Sequence, residues 1–103
     1  MQKTLAEATI DVNEEGYLTD PAQWNESIAA AIAGEEGVGP LTDAHWKVLQ
    51  HLREKHAAGE EVTIRQLGKS GIVTTKELYT LFPNGPLKKA AKIAGVPKPV
   101  GCI

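Results

Sequence analysis

The 103-residue chain is predicted to be α+β and mostly α: a short N-terminal β-hairpin packed on an array of about five helices, then an extended C-terminal arm. Three observations predict this. Strand chemistry is confined to residues 8–19. Five later stretches each carry helix start or stop signals. The last nine residues, Gly95-Val96-Pro97-Lys98-Pro99-Val100-Gly101-Cys102-Ile103, hold two prolines that block a helix.

In the hairpin, Thr9, Ile10 and Val12 favour strand, Asn13 to Gly16 have turn chemistry, and Tyr17-Leu18-Thr19 returns. Strands this short need helices to lie on. Asp20 caps the first helix, with Pro21 at its first position and Gln23 in the capping-box place. Trp24, Ile28 and Ala31 or Ile32 recur at helical spacing, and Gly34 ends it. Gly34 to Pro40 reads as a flexible joint.

Thr42 caps the strongest helix. His45, Leu49, Leu52 and His56 share one face, Trp46 lies alongside, and Gly59 closes it. One reading makes His45 or His56 a base; the favoured one makes both packed residues at the edge of an apolar stripe, with Trp46 in the core. Thr63 to Gln66 and Thr74 to Glu77 are capping boxes for two short helices, the first ending near Gly68. Pro83-Asn84-Gly85 is a hard break. Pro86 opens a fifth helix that buries Leu87, Ala90, Ala91 and Ala94, and Gly95 stops it. The predicted organisation is one domain over 1–95 and an arm over 96–103.

Bulk composition narrows the function. With 42% hydrophobic and 23% charged residues the chain is ordinary for a globular domain. Its length limits the core and argues against a deep enzymatic pocket. One cysteine excludes an internal disulfide, and His45, His51 and His56 lack zinc-finger spacing to it. No metal or organic cofactor is expected. No apolar run approaches a membrane span, and the first ten residues lack a signal-peptide core, so no membrane partner and a cytoplasmic location are expected.

Charge is divided along the chain. Residues 1–45 hold nine acids and one lysine, whereas residues 46–103 hold four acids and ten Lys or Arg. Lys88, Lys89, Lys92 and Lys98 close the chain with no acid among them. They read either as a basic face for an acidic protein or nucleic acid, or as a solvated helix face. Cys102 stands in this basic stretch, beside a bare Gly101, on an arm stiffened by Pro97 and Pro99. A structural cysteine is normally buried. This placement points to a thiol used in transfer between proteins.

Phe82-Pro83-Asn84-Gly85-Pro86, followed by Ala94-Gly95-Val96-Pro97-Lys98-Pro99-Val100-Gly101-Cys102-Ile103, resembles the DsrC/TusE family. These are small sulfur carriers, including the gamma partner of dissimilatory sulfite reductase and a component of a tRNA-thiolation relay. Asp20-Pro21 with Trp24, Leu41-Thr42 with His45-Trp46 and Leu52-Arg53, and Leu78-Tyr79 with Leu81-Phe82 fall in the family's order, so the resemblance spans about residues 9 to 103. It implies a small β-meander packed on helices. Full DsrC proteins carry a second cysteine where this chain has Ala91, Val100 replaces a usual threonine, and the stretch from Gly59 to Lys76 is shorter than in many members. Lacking the second thiol, the chain looks like the one-cysteine TusE type.

The resemblance implies a carrier with no independent turnover. Cys102 accepts sulfane sulfur as a persulfide, and Lys88, Lys92, Pro97, Lys98, Pro99 and Gly101 are candidate partner contacts. The seven steps from Gly95 to Cys102 reach about 20–25 Å at roughly 3.3–3.6 Å each. Lys98 favours the thiolate and the terminal carboxylate opposes it. The implied partners are a sulfur-donor relay complex and an acceptor such as a tRNA thiolase. Two alternatives stand beside this. One is a gamma-subunit-like partner of a sulfite reductase. The other is a helix-turn-helix regulator in which Arg65, Lys69 and Lys76 meet DNA phosphates.

Overall fold

Strand pairing begins earlier in the chain than the hydrophobic pattern predicts. The computed structural model describes residues 1–98; residues 99–103, among them Pro99, Gly101 and Cys102, lie outside the described residues. Strands β1 (Gln2–Leu5) and β2 (Ala8–Asp11) pair antiparallel, with Gln2 opposite Asp11 and Leu5 opposite Ala8. Their link, Ala6-Glu7, is left-handed at both residues, with φ of 49° and 64°. Such turns usually announce themselves with Asn or Gly. Here they do not, so the sequence carries no signal for β1.

The hairpin expected across Asn13–Gly16 survives as a single bridge, Val12 to Leu18. Its turn does form: Asn13 Oδ1 accepts from the N–H groups of Glu15 and Tyr17 at 2.9 and 3.0 Å. The result is a meander whose third leg is barely paired.

The helix expected from Pro21 breaks at Trp24. Asp20 caps only a 3-10 turn, Pro21–Gln23, and the backbone is extended at Trp24, with ψ of 140°. Gln23 does not close a capping box, because its amide is bound to β2. The Asp11 N–H donates to Gln23 Oε1 at 2.7 Å, and Gln23 Nε2 donates to Asp11 Oδ2 at 2.9 Å. Asn25 then restarts the helix, its side chain accepting from the Ile28 N–H at 2.9 Å. Helix α1 (Glu26–Glu35) runs one residue past Gly34.

Helix α2 (Asp43–Ala57) buries His45, Val48, Leu49 and Leu52, and the apolar stripe ends there, leaving His56 exposed. Trp46 is half-buried against the core. Both later capping boxes form, opening α3 (Ile64–Lys69) and α4 (Thr75–Leu81). Gly68 leaves room for Thr75 where these helices meet.

Helix α5 (Pro86–Ala94) is the centre of the molecule, buried at Pro86, Leu87, Ala90, Ala91, Ile93 and Ala94. It packs against α1, α2 and α4. Its three alanines let its neighbours approach closely, and Phe82 and Ile10 close the core at 0% and 1% exposure. The architecture is the α+β, mostly helical one the sequence predicts. Among the described residues no helix is long and apolar enough to cross a membrane.

Candidate functional site

The arm leaves the body at the C-terminus of α5, so the site begins with how that helix ends. A helix leaves its last four carbonyls without intrahelical partners. In α5 all four are occupied. The N–H groups of Val96 and Gly95 donate to Ala91 O and Lys92 O at 3.1 and 3.3 Å. Gly95, at φ 72°, supplies the left-handed residue such a double closure requires. The other two carbonyls are met from far away in the chain. Trp24 Nε1 donates to Ile93 O at 2.8 Å, and Arg53 Nη1 donates to Ala94 O at 2.8 Å.

These two donors also hold each other. The Arg53 guanidinium lies over the Trp24 indole, 4.0 Å from the ring centroid, an attraction between a cation and a π face. Burial pulls the Arg53 pKa below the ordinary arginine value. The break at Trp24 now has its physical reason: an extended residue there turns the indole onto α5, which a continuous helix would not. The packing leaves no room for a side chain at Gly95. A Cβ there would sit 2.5 Å from Trp24 Cδ1 and 3.2 Å from Arg53 Nη1.

Val96, 7% exposed, is the last core residue among the described residues, and Pro97 and Lys98 are exposed. Beside them a cleft of about 220 Å³ opens between α2 and α5. Leu52, Val62, Leu87 and Ala91 line it, with His56 and Lys98 among its polar residues. Ala91, where the resemblance expects a second cysteine, is 1% exposed and stands on this wall. Among the described residues no cluster of three or more His, Cys, Asp or Glu is placed to hold a metal ion.

The C-terminal lysines fall into two groups. Lys88 is exposed. The other three meet the acidic N-terminal half of the chain. Lys89 Nζ donates to Glu36 O at 2.9 Å. Lys92 Nζ lies 3.3 Å from Glu36 Oε2 and 6.0 Å from the Tyr17 ring centroid. Lys98 Nζ lies 2.9 Å from Glu15 Oε2. Part of the charge division along the sequence is therefore complementarity within the fold.

His45 is a structural residue. Its Nδ1 accepts from the Thr42 N–H at 3.0 Å and its Nε2 lies 2.9 Å from Leu81 O, which makes it the Nε2–H tautomer. It ties the start of α2 to the end of α4. Arg65, Lys69 and Lys76 are exposed around the α3–α4 bend.

Comparison with known proteins fits this geometry. The model of the family described as DsrC like protein matches residues 4–103. The chain belongs to the DsrC-like family. The protein named Sulfurtransferase TusE from Salmonella paratyphi A is 42% identical, over 91% of this chain and 93% of that protein. The TusE of Escherichia coli K12 is 40% identical over the same shares. Among solved structures, dissimilatory sulfite reductase I (DsrI) superposes with a TM-score of 0.87 at 35% identity, covering both chains fully. The oxidized gamma-subunit of the dissimilatory sulfite reductase from Archaeoglobus fulgidus gives 0.80 at 32%, also over both full chains.

Within this DsrC-like fold, sequence reasoning missed the Trp24–Arg53 clamp. Trp24 reads as one member of a helical stripe. Arg53 follows Leu52 directly and sits four residues after Leu49, inside the buried stripe of α2. A cation at such a position is the signal that could have found it.

Proposed function

We propose that the chain is a sulfur carrier whose working group is the Cys102 thiol. The observation that carries this reading is that the family match runs through residue 103 and so includes the arm with the chain's only cysteine. Relatives named as sulfurtransferases, matched over nine-tenths of the chain, support it.

The step is a thiol exchange. The Cys102 thiolate attacks the terminal sulfur of a donor persulfide. The new S–S bond forms at Cys102, the donor's S–S bond breaks, and its electron pair leaves on the donor thiolate. No outside oxidant is needed, and the product is a persulfide on Cys102, a reversible state of the thiol. A second thiolate takes the sulfur by the same chemistry. Ala91 provides no thiol to intercept it.

In this reading the body ends at Val96 and the arm from Pro97 onward enters the partner's site. Pro97, Lys98, Pro99 and Gly101 are its partner-contacting positions, and Lys88 is the exposed lysine of α5. Lys92, tied to Glu36, has less of its charge to offer a partner than Lys88. The partners are a cytoplasmic sulfur donor and an acceptor such as a tRNA-thiolating enzyme.

The test is intact mass after incubation with a cysteine desulfurase, cysteine and a relay donor. One added sulfur, lost on reduction and absent in Cys102→Ser, is the expected result. The likeness to sulfite reductase subunits favours a second reading, a binding subunit. A stable complex with a sulfite reductase that survives Cys102→Ser, with no added sulfur, would replace the first reading by this one.

A further inference from the structure

We propose that Trp24 and Arg53 are positioning residues for sulfur transfer: by closing the end of α5 they fix the direction in which the arm leaves the body. The proposal rests on the carrier reading for its kinetic consequence and on the clamp alone for its geometric one.

The last two carbonyls of α5 could have been left to water, as at many helix ends. Instead they receive an indole N–H and a guanidinium N–H, both at 2.8 Å, from residues 69 and 41 positions away. The two donors are stacked on each other at 4.0 Å, so each helps to hold the other in place. Gly95 is packed so closely beneath them that a Cβ would meet Trp24 Cδ1 at 2.5 Å. Val96 is buried and bonded back to Ala91 O. The backbone is thus held through Val96, at the point from which the arm departs.

The reach of the arm makes this matter. Six steps from Val96 to Cys102 span at most about 20 Å at roughly 3.3–3.6 Å each. Productive geometry at a reacting thiol tolerates only about 0.5 Å, so a root free to swing spends few of its orientations aimed at the partner's site. A fixed root also leaves fewer arm orientations to be lost on docking. Loosening the clamp therefore slows transfer to and from Cys102 without changing the chemistry of the thiol.

The experiment compares wild type, Trp24→Phe, Arg53→Met and Arg53→Lys. Single-turnover transfer from a persulfidated donor protein is followed by quenched-flow intact mass and resolved into a saturating rate and a half-saturating donor concentration. Alkylation of Cys102 by iodoacetamide runs alongside. We expect Arg53→Met to lower the second-order rate of transfer at least about tenfold, with the alkylation rate unchanged, and Arg53→Lys to recover part of the loss. Inserting Gly-Gly between Val96 and Pro97 uncouples the arm from its root. In that background Arg53→Met has no further effect, a non-additivity that a merely structural role would not produce.

Nitroxide labels on Cys102 and on Ser27→Cys, read as an electron-spin distance distribution, report the arm without any sulfur chemistry. The distribution should broaden in Arg53→Met and Trp24→Phe. Wild-type transfer by Arg53→Met, or a full additional loss in the Gly-Gly background, overturns the proposal. If wild type takes no sulfur, the carrier reading falls and the distance distribution decides: broadening upholds the positioning role, and unchanged width overturns it.

Discussion

Helices α3 and α4 are opened by caps drawn from their own neighbours, whereas the last two carbonyls of α5 are met by residues from the far side of the sequence. Thr63 and Gln66, and Thr74 and Glu77, exchange side-chain and backbone bonds across three residues, at 3.0 to 3.2 Å. At the end of α5 the corresponding separations are 41 and 69 residues. A local cap stabilises a helix wherever that helix lies. A remote clamp also fixes where the helix end points relative to the rest of the molecule. The difference teaches that the end of α5 is secured as a mount for the arm, while the caps of α3 and α4 secure only the starts of those helices.

Gly95→Ala should break that comparison most forcefully. Left-handed strain in a non-glycine residue and the clash with Trp24 together amount to roughly 2–4 kcal/mol. Urea unfolding would measure it. Gly95→Asn separates the two causes, since Asn tolerates a positive φ but still carries a Cβ. Equal losses in both variants identify the Trp24 contact as the dominant one; near-wild-type stability in Gly95→Asn would mean α5 has an ordinary helix stop and no special mount.

Arg53→Met comes next, at about 1–3 kcal/mol, because it leaves the Ala94 carbonyl, 0% exposed as a residue, without its donor. The two ends of the molecule differ in the same way in how they can be read from sequence. The capping boxes of α3 and α4, the Pro86 start and the Gly95 stop are rules satisfied within four residues, and all were legible. β1 was not, because Ala6-Glu7 takes left-handed values without turn residues. The break at Trp24 was not, because local spacing favours helix and only the partners of Gln23 and Trp24, on β2 and α5, decide against it. The basic C-terminal face was legible as charge, but its engagement with Glu15 and Glu36 belongs to the fold.

Thr74→Ala sharpens the contrast from the local side. Losing the hydroxyl that accepts from the Glu77 N–H at 3.1 Å should cost about 1 kcal/mol. It should leave the rate of sulfur transfer to Cys102 at the wild-type value, since the Thr74 hydroxyl bonds at the start of α4 and touches neither Trp24, Arg53 nor the end of α5. A thermal melt and the quenched-flow assay, run on the same sample, check both halves. A transfer defect matching that of Arg53→Met would erase the distinction between cap and mount.

Lys98→Ala should give the smallest effect on stability, at most about 0.5 kcal/mol. Its ammonium lies 2.9 Å from Glu15 Oε2, but both side chains are well exposed, at 41% and 57%, and such pairs gain little after screening and side-chain entropy. The pair nevertheless bears on the comparison, because it is the first contact beyond the clamp. If the mount ends at Val96, Lys98→Ala and Glu15→Gln should melt alike and leave the label distance distribution of the arm unchanged. If Glu15 extends the mount outward, Glu15→Gln should broaden that distribution at low salt, and raising the salt on wild type should reproduce the broadening, because an exposed ion pair is screened while the part-buried hydrogen bonds of Trp24 and Arg53 are screened much less.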